Sequence, residues 1–120
     1  MKEIKAVIRP NKLNALREAL RDIPGFPGMT VIKAEGCSAP SRHGPAHNIK
    51  EELTDYTPKV RIEIVSPDDV AEVIVERIIA IASTGHIGDG LVWMTPVERA
   101  AFVYKTMPGA DSIERYPGKK

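Results

Sequence analysis

Pro58-Lys59-Val60-Arg61-Ile62-Glu63-Ile64-Val65-Ser66-Pro67-Asp68-Asp69 joins two kinds of periodicity in one short stretch. Val60, Ile62 and Ile64 alternate with Lys59, Arg61 and Glu63, the two-residue repeat of a strand with one face in a core and the other wet or at an interface. Ser66-Pro67-Asp68-Asp69 then reads as a helix entry. Serine is the expected cap, proline takes the first helical position, and two carboxylates sit near the positive end of the helix dipole. Residues 67–83 carry Val70, Val73, Ile74, Ile78 and Ile81 on one helical face, flanked by Val75, Ile79 and Ala82. So wide an apolar band predicts a largely covered helix.

Moving toward the C-terminus, Gly85 stands where a helix C-cap is wanted, and Leu91-Val92-Trp93-Met94-Thr95 is a short apolar strand. Trp93 and Met94 alternate along it, so one of them is expected in the core or at a subunit interface. Pro96-Val97-Glu98-Arg99 turns the chain, Ala101-Phe102-Val103-Tyr104-Lys105 reads as a last short strand, and residues 106–120 read as a mobile tail.

Moving toward the N-terminus, residues 37–57 show neither repeat, and a connection of about 20 residues inside a small domain is more often functional than idle. Within it, Ile49-Lys50-Glu51-Glu52-Leu53 reads as a helical turn that forms when held. Before it comes a β-branched strand over residues 29–35, closed by Gly36, and before that the turn Ile23-Pro24-Gly25-Phe26-Pro27-Gly28. Leu13, Leu16 and Leu20 mark an amphipathic helix over residues 11–22, with Asn11 as its expected cap. Residues 2–9 alternate, Ile4, Ala6 and Ile8 facing one way and Lys5, Val7 and Arg9 the other, until Pro10 ends the strand. The order is strand, helix, strand, strand, helix, strand. This predicts an α+β, ferredoxin-like βαββαβ domain with a long loop between strands 2 and 3. Two helices cover one face of such a sheet, yet Val7 and Val65 lie on the other, so an oligomer is expected to bury it.

Composition narrows the function. The 120 residues make one domain, and 17 basic against 16 acidic side chains leave no electrostatic case for nucleic acid or an anionic membrane. A single cysteine, Cys37, excludes an internal disulfide and fits a reducing compartment. Met1-Lys2-Glu3-Ile4 enters a strand directly, and no apolar run approaches bilayer length, so a cytoplasmic, soluble protein is expected. The partner is then a protein or a small molecule.

Thr84-Gly85-His86-Ile87-Gly88-Asp89-Gly90 is the stretch with binding chemistry. Its three glycines expose backbone, and such loops form nests of N–H groups that hold phosphates; a plain helix-to-strand turn has the same composition. Asp89 is the carboxylate nearest a phosphate held there, and it also reads as the residue that shapes the turn. Cys37, His43, His47 and His86 are metal-ligand types. Gly44-Pro45 separates His43 from His47, and their spacing is no recognised zinc signature. Cys37 reads as a buried small hydrophobe at a strand end. Glu51, Glu52 and Asp55 read as a solvated face, and no nucleophile or acid–base set emerges, so an enzyme is not expected.

In order along the chain, Met1-Lys2-Glu3-Ile4-Lys5-Ala6-Val7-Ile8-Arg9-Pro10, Gly28-Met29-Thr30-Val31, Pro58 to Val65, Pro67-Asp68-Asp69 and Thr84 to Gly90 resemble the PII family of trimeric signalling proteins (nitrogen regulatory protein P-II), with this chain as a divergent PII-like member. The resemblance covers residues 1–106 and leaves 107–120 as a tail. It implies a homotrimer whose inter-subunit clefts bind an adenine nucleotide effector (AMP, ADP or ATP) near Gly36, Val65, Ile87, Gly88, Asp89 and Gly90, with no obligatory cofactor. Lys59 would lie at the root of the mobile loop, residues 37–57, where family members that sense 2-oxoglutarate place it. Arg42, His43, His47, Glu51 and Glu52 would meet a target protein, for example a membrane transporter, an efflux pump or a metabolic enzyme. The chain departs from the family pattern where phosphates are held. Leu91 replaces a lysine, and Phe102 and Tyr104 replace two arginines. Pro40 replaces a glutamine that helps hold magnesium and 2-oxoglutarate, and Glu52 replaces a tyrosine that is nucleotidylated. An apolar side chain cannot supply the charge-assisted bonds of those cations. The alternative implied by the same resemblance is a metal-binding trimer of heavy-metal homeostasis, carried by Cys37, His43 and His47 with His86.

Overall fold

The computed structural model of the chain describes residues 1–37 and 56–104. Strand β1 (Lys2–Ile8) leads through a 3-10 turn (Pro10–Lys12) into helix α1 (Leu13–Arg21), followed by β2 (Thr30–Gly36), β3 (Thr57–Ser66), helix α2 (Asp68–Ala82) and β4 (Gly90–Pro96). The four strands form one sheet in the order β2-β3-β1-β4, every pair antiparallel. This is the ferredoxin-like arrangement that the order of elements predicts.

Alternation determines which side chains enter the core. Ile4, Ala6 and Ile8 of β1 pair with Ile64, Ile62 and Val60 of β3, and all six are buried. Leu16 and Leu20 of α1 and Val70, Ala71, Ile74 and Ile78 of α2 close over them. Full burial of one such aliphatic side chain contributes about 1.5–3 kcal/mol before entropy is counted. Arg77 of α2 donates through Nη1 to the Ala19 carbonyl at 3.1 Å, satisfying an acceptor near the end of α1. The apolar band of α2 is narrower than its sequence predicts. Val73 and Ile79 are 44% and 46% exposed, because the core meets the side of the helix that carries Val70, Ala71, Ile74, Ile78 and Ala82, with Val75 and Ile81 at its margin.

The two helix starts differ from expectation. Ser66 belongs to β3, paired with Lys2, and its buried hydroxyl donates to the Pro67 carbonyl at 3.0 Å, so it does not cap α2. Pro67 is the cap itself, and its carbonyl accepts the N–H groups of Val70 and Ala71 at 3.2 and 3.1 Å. Asn11 lies inside the 3-10 turn and caps nothing; the chain winds from that turn directly into α1. The Met1 ammonium meets Asp68 Oδ1 at 2.9 Å, and that hydrogen bond holds the Asp68 carboxyl below its ordinary range.

The expected fifth strand is absent as far as Tyr104. Ala101 makes a single bridge, and residues 102–104 leave the sheet, with Val103 95% exposed. The tail after residue 104, and the loop turn at residues 49–53, lie outside the described residues.

The sheet face away from the helices carries rows set by register. Ile32, Arg61, Val7 and Leu91 lie side by side, and Thr30, Glu63, Lys5 and Trp93 form the next row. Val65, Leu91 and Trp93 are therefore on a face that this chain alone leaves open, as alternation predicts.

Candidate functional site

Helix α2 ends at Ala82 because Ser83 turns extended, and the chain then needs three left-handed residues to reverse into β4: Gly85 (φ 83°), Gly88 (φ 97°) and Gly90 (φ 123°). Gly90 is the most constrained. A Cβ there would stand 1.8 Å from the carbonyl oxygen of Val7, because β4 enters the sheet against β1 at this point.

Within the loop, Asp89 shapes the turn. Its Oδ2 accepts the N–H groups of Thr84, Gly85 and His86 at 2.6, 2.9 and 3.2 Å. Its Oδ1 accepts the Thr84 hydroxyl and Arg9 Nε, the latter at 3.2 Å. These bonds, the Thr84 hydroxyl foremost, hold the Asp89 carboxyl far below the usual carboxylate range. Arg9 also donates to the Ile87 carbonyl at 3.4 Å. A nest of three amides is thus filled by the chain's own carboxylate. Nothing in the sequence pattern points to Arg9 or to the Thr84 hydroxyl as partners of Asp89. Arg9 lies 80 residues from Asp89, and no local pattern links them.

Alternation places Lys59 with Arg61 and Glu63 on the face away from the core, and it does lie there, yet it is only 7% exposed because the glycine loop folds over it. Its ammonium donates to the Gly88 carbonyl at 2.6 Å. Its stem packs on Gly36, where an added Cβ would meet Lys59 Cγ at 3.0 Å. Gly36 in turn pairs with Thr57, so the end of β2, the start of β3 with Lys59, and the glycine loop are in direct contact.

Gly36, Lys59, Ile87, Gly88 and Gly90 therefore line one open cleft of about 500 Å³, completed by Val7, Cys37, Leu91 and Trp93. Its size is that of a small-molecule site. Val65 is not part of it. That residue lines a second concavity of about 530 Å³ at the opposite end of the same sheet face, with Glu3, Gly28, Met29, Glu63 and Phe102. Phe102 packs on Tyr104, ring centroids 5.4 Å apart.

Cys37 is exposed, not buried, because β2 ends at Gly36 and the thiol lies past the last paired residue. Among the described residues no three His, Cys, Asp or Glu side chains come together to hold a metal ion. His86 is exposed, its Nδ1 3.1 Å from the Thr84 carbonyl. Arg42, His43, His47, Glu51 and Glu52 lie outside the described residues, as does Pro40. No described helix is long and apolar enough to cross a membrane.

Comparison with known proteins agrees with this architecture. The family model for nitrogen regulatory protein P-II matches residues 1–106. The nitrogen regulatory protein P-II of Azospirillum brasilense is 39% identical over 113 residues, 94% of this chain and the whole of the relative. That of Haemophilus influenzae matches at the same identity and coverage. Nitrogen regulatory protein P-II 1 of Escherichia coli is 43% identical over 99 residues, 82% of this chain and 88% of the relative. With its ferredoxin-like sheet and glycine loop in the matched region, the chain belongs to the nitrogen regulatory protein P-II family.

Proposed function

We propose that this chain is a cytoplasmic signalling regulator, not an enzyme. It assembles as a homotrimer, binds an adenine nucleotide at the Lys59 cleft, and controls a partner protein through residues 37–57. The observation that carries this reading is the hydrogen bond from Lys59 to the Gly88 carbonyl, because it ties the base of the long loop to the loop that would meet the ligand. A ligand that engages residues 87–90 changes what Lys59 can bond, and so favours one arrangement of the segment that starts at Cys37. The uncovered sheet face supports the trimer: two concavities open on it at opposite ends of the strands, and further copies of the chain would bury that face. A transporter, an efflux pump or a metabolic enzyme that reads the loop fits a regulatory family member.

Sedimentation and calorimetry test the reading together. A trimer that takes up about one nucleotide per subunit, with altered amide exchange in residues 37–57 on binding, is the expected result. A monomer that binds no adenine nucleotide would refute it.

A further inference from the structure

The cleft beside the glycine loop holds a single described cation. Lys59 is more than nine-tenths buried, and among the described residues its ammonium has one acceptor, the neutral Gly88 carbonyl at 2.6 Å, and no carboxylate. An ammonium carries three N–H donors, and burying a charge without a counter-charge is costly. Two donors and one positive charge are left for something that enters the cleft. Arg9, the other cation beside the loop, already faces the ionised Asp89 at 3.2 Å and the Ile87 carbonyl. Together Arg9 and Asp89 are close to electrically neutral, and they add no net attraction for an anion.

The remaining walls are apolar and uncovered. Ile87, Leu91 and Trp93 are 70%, 66% and 38% exposed along the cleft, and Val7 lies beside Leu91. A flat ring laid on Trp93 and Leu91 removes that surface from water. Such a cleft suits an aromatic body with one anionic group.

We propose that the cleft selects a mononucleotide over polyphosphates, with affinity falling from AMP to ADP to ATP. This rests on the reading that an adenine nucleotide binds here, and it names which one. Each added phosphate brings negative charge that no other described side chain lining the cleft meets, and desolvating an unpaired charge opposes binding. The order follows from that balance.

Calorimetric titrations of the full chain with adenosine, AMP, ADP and ATP, at one ionic strength and without divalent metal, test it. AMP is expected to bind at least about tenfold tighter than ATP, a difference of about 1.4 kcal/mol, and tighter than adenosine. Lys59→Met is expected to abolish the advantage of AMP over adenosine. Leu91→Lys changes an exposed side chain, so the fold survives, and is expected to raise ATP affinity relative to AMP about tenfold. ATP binding as tightly as AMP to the wild type overturns the selectivity and leaves the nucleotide reading standing. Binding of none of the four overturns both.

Discussion

The ammonium of Lys59 lies 2.6 Å from the carbonyl oxygen of Gly88, joining residues 29 positions apart and placing the end of β2, the start of β3 and the glycine loop in one contact. Removing that bond while keeping the stem isolates its role. Lys59→Met is expected to cost about 1 kcal/mol of stability, the net worth of one hydrogen bond. It should also speed amide exchange at residues 85–90 more than in the β1–β3 ladder. Equal acceleration in both would show that the bond does not hold the loop specifically.

Asp89 makes loop stability depend on acid. Its folded-state pKa is depressed, so its contribution is present above the unfolded value near 3.9 and is lost as pH falls toward the folded value. Melting temperatures recorded from pH 7 down to pH 2 should fall less steeply below about pH 4 for Asp89→Asn than for wild type. The variant should also melt lower at pH 7, since one amide group cannot accept from Thr84, Gly85, His86 and Arg9 together. Parallel curves would sink the assignment.

Gly90 and Gly85 both have positive φ but differ in surroundings. Gly85→Ala meets nothing within 4 Å and should cost only the left-handed backbone penalty, about 1–2 kcal/mol. Gly90→Ala drives a methyl into the Val7 carbonyl and should cost more than about 4 kcal/mol or prevent folding. Urea denaturation of the two variants measures the difference. Similar values would mean that β4 joins the sheet differently.

The two apolar neighbours Val73 and Ile74 provide a test of the helix face. Ile74→Ala should destabilise by about 2–5 kcal/mol, as for a fully buried aliphatic side chain. Val73→Ala should stay within about 0.5 kcal/mol in a monomer. A large loss at Val73 measured on an assembled species would place that face against another copy.

The sequence alone determined the order of elements, the core faces of β1 and β3, and the bare sheet face with Val7 and Val65. Those features follow from period-two and helical repeats, which are properties of neighbouring residues. The glycine loop was legible for the same reason, since a chain leaving a helix for a strand needs left-handed positions close together. Tertiary structure alone decided that Lys59 is buried, that Asp89 fills the amide nest, that Arg9 meets it, and that Ser66 stays in the sheet. Each of these depends on a contact that crosses the fold, where spacing along the chain carries no signal. The last strand shows the opposite limit. Residues 101–105 have the β-branched and aromatic composition of a strand, but a strand exists only where another lies beside it, and at Phe102 to Tyr104 the described chain offers none.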